Sequence, residues 1–170
     1  MFSIDSEAFQ PPVDILLVED NAGDVFLIEH AMHGCSANCN IYLVQDGEAA
    51  MRFLQKTGEY ATSPRPQLIF LDLNLPGKDG REVLEEIKAD PNLMNIPVVV
   101  LTECNSKKDI LRSYQNYANC YITKPFHLNQ YNQTIKTITN FWLNYAQLPS
   151  KDLTGQPKAL SGQPFLVIRS

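Results

Sequence analysis

Leu68-Ile69-Phe70-Leu71-Asp72-Leu73-Asn74-Leu75-Pro76-Gly77 decides how this chain folds. Four apolar residues run without alternation into a carboxylate, and Pro76-Gly77 then turns the chain. An apolar run this short suits a strand covered on both faces, as in a parallel sheet. Three other stretches repeat the design. Ile15-Leu16-Leu17-Val18 runs into Glu19-Asp20, Val98-Val99-Val100-Leu101 into Thr102, and Tyr121-Ile122-Thr123 into Lys124-Pro125. In such sheets ligands bind beyond the carboxyl ends of the strands. Three carboxylates, a hydroxyl and an ammonium therefore converge on one edge.

Working outward, strands are predicted near 14–19, 40–45, 67–72, 97–101 and 119–123, and helices near 22–34, 46–56, 79–89, 106–117 and 126–146. Five β/α repeats predict an α/β fold, a flavodoxin-like (βα)5 doubly wound sandwich around a five-stranded parallel sheet. Right-handed crossovers place helices on both faces. In the last helix Leu128, Tyr131, Ile135, Ile138, Trp142 and Tyr145 recur at spacings of three and four, giving one apolar stripe. Phe141 lies off that stripe. Residues 1–12 read as a leader, 13–148 as the domain and 149–170 as a flexible tail rich in Gly, Pro, Ser, Lys and Gln. Within the tail, Phe165-Leu166-Val167-Ile168 is an apolar scrap taken as a disordered end, with strand addition to a neighbour's edge as the alternative. No second domain is expected.

The net charge of −5 argues against non-specific binding of nucleic acid, which needs basic patches. No apolar run is long enough to span a bilayer and no signal peptide is visible, so no membrane association and a cytoplasmic location are expected. The four cysteines, Cys35, Cys39, Cys104 and Cys120, read as reduced thiols in that compartment. His30, His33, Cys35 and Cys39 match no common zinc spacing and read as an exposed helix end followed by a loop.

The chemistry follows from the strand ends. Adjacent carboxylates at Glu19-Asp20 repel each other, and a hard cation removes the conflict. Mg²⁺ commonly uses one or two carboxylates plus waters and a phosphate oxygen. The plainer reading has Asp20 cap the helix that follows. Asp72 can act as a nucleophile toward a phosphoryl group, forming an acyl phosphate. Lys124 would supply fixed positive charge and Thr102 a hydrogen bond to phosphoryl oxygens. A lysine directly before proline is pushed out of helical geometry, and a cis Lys124–Pro125 bond would re-aim it toward the other strand ends. Tyr121 is either a ring that moves inward with Thr102 or a strand aromatic of the core.

The set Glu19-Asp20, Asp72, Thr102, Tyr121 and Lys124-Pro125 resembles the receiver domain of two-component response regulators, from about Val13 to Leu148. The resemblance implies that Asp72 is the phosphoryl acceptor. It also implies Mg²⁺, with Mn²⁺ as a substitute, bound by Asp20, Asp72 and the backbone carbonyl of Asn74, with Glu19 acting through a metal-bound water. Thr102 and Tyr121 become the switch pair and Lys124 the phosphate contact. Glu19 departs from the aspartate commonest in the family. Residues 18–25, 118–125 and Phe141-Trp142-Leu143 look like the small regulators paired with cyanobacterial phytochromes. That narrower likeness implies a sensor histidine kinase, a phytochrome, as partner. It also implies a homodimer through the fourth helix, fifth strand and fifth helix, and self-modification in place of turnover on an outside substrate.

Three other functions compete. A receiver-like scaffold that is never phosphorylated would not need the acidic set. A flavodoxin-like electron carrier would find Glu19-Asp20 where flavin phosphate needs a neutral or positive cradle. A true aspartyl-phosphate hydrolase would need a second aspartate two residues beyond Asp72, where Asn74 stands. No GxxxxGK[ST] phosphate loop is present.

Overall fold

The computed structural model describes residues 11–33, 38–149 and 167–169. Five parallel strands make up the body of its sheet: β1 Val13–Val18, β2 Cys39–Val44, β3 Leu68–Leu71, β4 Val98–Thr102 and β5 Cys120–Thr123. The helices between and after them are α1 Ala22–His33, α2 Gly47–Gln55, α3 Gly80–Ala89, α4 Lys107–Gln115 and α5 Leu128–Asn140. The doubly wound sandwich and every predicted unit are present, with ends shifted by a few residues. A 3₁₀ turn at Gly58–Tyr60 adds to them.

The strand order is β5-β4-β3-β1-β2-β6, where β6 is Val167–Arg169, paired antiparallel with Asn40–Tyr42. The stretch read as a disordered end thus carries a strand. Its β-branched residues suit one, and it covers the outer edge of β2 along Asn40–Tyr42. The leader through Gln10, Cys35 and the tail segment 150–166 lie outside the described residues.

Strand residues alternate between two cores. Leu16, Val18, Ile69, Leu71, Val98 and Val100 pack with α2 and α3, while Ile15, Leu17, Leu68, Phe70, Val99 and Leu101 pack with α1 and α5. Both faces are apolar because both are covered, which is why the sequence shows runs without alternation. Cys39 belongs to this core, in β2, and not to the loop expected for it. In α5 the stripe holds at Tyr131, Ile135 and Ile138, whereas Leu128 and Tyr145 are exposed. The reason at the far end is a π turn at Phe141–Tyr145, closed by Ala146 N donating to Phe141 O at 2.9 Å. An i→i+5 turn carries later residues off a 3.6-residue stripe. Phe141 is exposed, off the stripe as expected.

Candidate functional site

The strand order reverses at β1 and β3, and there the carboxyl ends bring Glu19, Asp72 and Lys124 together. The Lys124 Nζ donates to Glu19 Oε2 at 2.7 Å, to Asp72 Oδ2 at 2.7 Å and to Asp24 Oδ2 at 2.8 Å. The Lys124–Pro125 bond is trans, and the backbone N–H of Lys124 is fixed by Thr102 O at 2.7 Å. Lys124 therefore reaches the site from the end of β5 without a cis bond.

Asp24 is the member that strand-end reasoning missed. It stands in the first turn of α1, where an aspartate ordinarily needs no more explanation than the helix dipole. The cap of α1 is Asn21, whose Oδ1 accepts from Gly23 N at 2.9 Å and Asp24 N at 3.1 Å. Asp20 is thus free of the capping role and lies exposed at the rim, while Glu19 is buried. Asp72 Oδ1 accepts from Asn74 N at 3.0 Å, which ties the start of the following loop to the carboxylate.

That loop is clamped from two sides. Lys78 N donates to Glu48 Oε2 at 2.9 Å, and a Cβ at Gly47 would lie 2.2 Å from Lys78 O. On the other side Gly80 opens α3 directly against the backbone of Asp72 and Leu73. Asp79 caps that helix in a reciprocal box with Glu82.

Thr102 is fully buried at the end of β4, with Oγ1 3.4 Å from Cys104 N. Tyr121 is half-buried and its hydroxyl donates to Cys104 O at 2.7 Å. Burial foremost, with help from the Cys104 and Asp109 side, pushes the phenol up to about 12, so it stays a donor. The Cys104 thiol donates to Asp109 Oδ2 at 2.8 Å, and Arg81 Nε donates to Asp109 Oδ1 at 2.6 Å. The Arg81 hydrogen bond holds Asp109 well below the carboxylate range. No sequence signal pointed to this Arg81–Asp109–Cys104 link, which joins α3 to the first turn of α4 and to the β4–α4 loop.

Charge at the centre is unbalanced. Burial pushes Glu19 up from 4.5 to about 7 even though the Lys124 ammonium pulls it down. Burial alone would lower Lys124, but Glu19, Asp24 and Asp72 outweigh it and hold the ammonium well above the lysine range. One cation shared by three carboxylates cannot satisfy them all. Among the described residues no three His, Cys, Asp or Glu side chains form a ready-made cation cage, because the carboxylates converge on the ammonium. The donor chemistry nonetheless fits a hard divalent cation: oxygen ligands only, with negative charge in excess. Chemically, the arrangement can hold a carboxylate nucleophile beside positive charge and a hydroxyl.

Beside Lys124 opens a cavity of about 220 Å³, walled by Asp24, Leu27, Phe126, Leu128 and Tyr131. Phe126 is 95 % exposed at its rim. Among the described residues no helix is long and apolar enough to cross a membrane.

The profile of the response regulator receiver domain matches residues 15–136. Response regulator Rcp1 of Synechocystis sp. (strain ATCC 27184 / PCC 6803 / Kazusa) is 47% identical over 145 residues, 85% of this chain and 99% of that protein. The crystal structure of the Mn(2+)-bound form of Rcp1 is similar with a TM-score of 0.81, covering 82% of this chain and all of that one. The phosphorylated cyanobacterial phytochrome response regulator RcpA is similar with a TM-score of 0.80 and 51% identity, over 82% of this chain and 100% of its own.

Proposed function

This chain belongs to the response regulator receiver domain family, and on that footing we propose that it takes a phosphoryl group onto Asp72 from a phosphohistidine of a sensor kinase. The observation that carries the reading is the Lys124 ammonium bonded to Asp72 and to two further carboxylates in one buried cluster. A lone pair of the Asp72 carboxylate attacks phosphorus in line, the P–N bond breaks, and the electron pair leaves with the imidazole. Lys124, already at Asp72 Oδ2, turns a hydrogen bond to the phosphoryl oxygens, and the Thr102 hydroxyl adds another. Thr102 and Tyr121 then form the switch pair, since both bond to the Cys104 backbone and move with it.

A divalent cation, Mg²⁺ with Mn²⁺ as a substitute, fits the excess charge and would offset that of the phosphoryl oxygens. Asp20, Asp72 and the Asn74 carbonyl would hold it, with Glu19 acting through water. The Mn(2+)-bound form of Rcp1 supports this choice. A phytochrome is the kinase we favour, given the likeness to RcpA. For self-association the α4–β5–α5 face is favoured: α4 buries only Ser113 and leaves Leu111 and Tyr114 exposed. Exposed apolar side chains of this kind suit a partner surface.

Intact mass after incubation with phosphoramidate, with and without Mg²⁺, tests the central claim. Wild type gains one phosphoryl group only with the metal, and Asp72→Asn gains none. A variant that still accepts phosphate would remove Asp72 from the role. Phe126→Ala is expected to slow transfer from the kinase by roughly tenfold, the loss of one exposed aromatic anchor. Its phosphorylation by phosphoramidate should be unaltered, because Phe126 is exposed at the rim and its ring has no group that could bond the carboxylates or the phosphoryl oxygens. Equal slowing with both donors would place Phe126 in the chemistry instead.

A further inference from the structure

Two buried hydroxyls of α5, those of Tyr131 and Thr139, have no partner among the described residues, and of the two only Tyr131 walls the cavity beside Lys124. Tyr131 is 3 % exposed, with its ring in the layer between α1 and α5, yet among the described residues its Oη meets no donor or acceptor. Burying a hydroxyl unpaired is unfavourable, and phenylalanine would fill the same space without that cost. The surroundings suggest what the hydroxyl is for. Tyr131, Asp24 and Lys124 wall the same cavity, and the charges of Lys124, Asp24, Glu19 and Asp72 all bear on the phenol. Burial foremost keeps it protonated, a donor with nothing to donate to.

The Lys124 ammonium has three N–H groups, and Glu19, Asp24 and Asp72 use all three. A phosphoryl group on Asp72 brings oxygens that must displace one of these bonds. Asp24 is the least buried of the three carboxylates, 17% against 1% and 7%, so it is the best solvated on release and the first to go. We propose that Tyr131 is a positioning residue of the switch, whose hydroxyl takes over the Asp24 carboxylate when Lys124 turns to the phosphoryl oxygens. The inference rests on the reading of Asp72 as phosphoryl acceptor. It gives phosphorylation a second route outward, through α1 and α5, which pack on each other on the opposite face of the sheet from α2 and α3. The Thr102–Tyr121 route runs separately through the β4–α4 loop.

Trp142 is the chain's single tryptophan and packs against the same cluster as Tyr131, so its fluorescence reports on α5. The test uses full-length wild type, Tyr131→Phe, Asp24→Asn and the double variant, each treated with phosphoramidate and Mg²⁺. Asp72 occupancy is read by intact mass and the Trp142 emission is compared at matched occupancy. Wild type should shift on phosphorylation, each single variant should lose at least about half of the shift, and the double variant should lose no more than either, as for two ends of one bond. A melting temperature of unphosphorylated Tyr131→Phe no lower than wild type excludes a simple loss of packing. A full shift in Tyr131→Phe, additive losses, or no shift in phosphorylated wild type would each overturn the inference while leaving Asp72 as acceptor. Failure of wild type to take up phosphate would overturn the acceptor reading itself, and this inference with it.

Discussion

Replacing Lys124 by methionine is expected to lower stability by about 3–5 kcal/mol at pH 8 in the presence of a chelator. The substitution keeps most of the side-chain volume and removes the ammonium that bonds Glu19, Asp24 and Asp72. Three carboxylates are then left together, two of them almost wholly buried, and they avoid repulsion only by taking up protons or opening the structure. The direction with pH follows from Glu19. Its folded value of about 7 lies above the ordinary 4.5, so the folded protein holds that proton more tightly than the unfolded chain. Such a group contributes stability that is full below about 4.5 and is lost as pH rises through about 7. Without the ammonium the same window widens upward. The deficit of Lys124→Met against wild type should therefore be small at pH 5 and large at pH 8, in urea titrations at both. Adding Glu19→Gln, or Mg²⁺ in place of the chelator, should recover part of the loss at pH 8. A deficit equal at both pH values would assign the effect to packing of the methionine and not to charge.

The same cluster shows where a sequence can be read and where it cannot. Glu19, Asp72, Thr102 and Lys124 were legible because each ends an apolar run, and parallel strands buried on both faces deliver their carboxyl ends to one edge. The switch from β1 to β3 in the strand order then makes Glu19 and Asp72 neighbours. Asp24 escaped because an acid in the first turn of a helix is ordinary, and only the reach of Lys124 across from β5 gives it another role. Asp20 illustrates the converse: the sequence left it between cap and ligand, and the cap turned out to be Asn21. The Arg81–Asp109–Cys104 link joins Arg81 to residues 23 and 28 positions away on other elements, for which no local pattern exists. The π turn after Asn140 and the strand Val167–Arg169 were illegible for related reasons. One is a single-residue change in helical repeat, and the other depends on which edge of the sheet lies within reach of the tail.

Gly80→Ala should be the most damaging methyl group that can be added near the site. A Cβ there would lie 2.1 Å from Asp72 O and 2.6 Å from Leu73 Cα. Both are backbone atoms at the end of a central strand, so no side chain can rotate away to make room. Gly80 N also donates to Leu73 O at 3.0 Å, which holds the first turn of α3 against that strand. Alanine gains up to about 1 kcal/mol of helix propensity at such a position. Overpacking against fixed backbone costs about 3 kcal/mol, and so wins. Gly58→Ala makes the contrast: nothing lies within 4 Å of its Cβ, and its cost is that of a left-handed φ of +60° alone, about 1–2 kcal/mol. Urea midpoints should fall further for Gly80→Ala than for Gly58→Ala. Function should separate them more sharply still. Moving the Asp72 backbone by the order of 1 Å takes its carboxylate out of line with Lys124, and misplacement of that size costs roughly 100-fold in rate. Phosphoramidate uptake should slow accordingly in Gly80→Ala and hardly at all in Gly58→Ala. If Gly80→Ala is destabilised yet phosphorylated at the wild-type rate, the strain has been relieved by retreat of α3, and the strand end that presents Asp72 is the stiffer of the two.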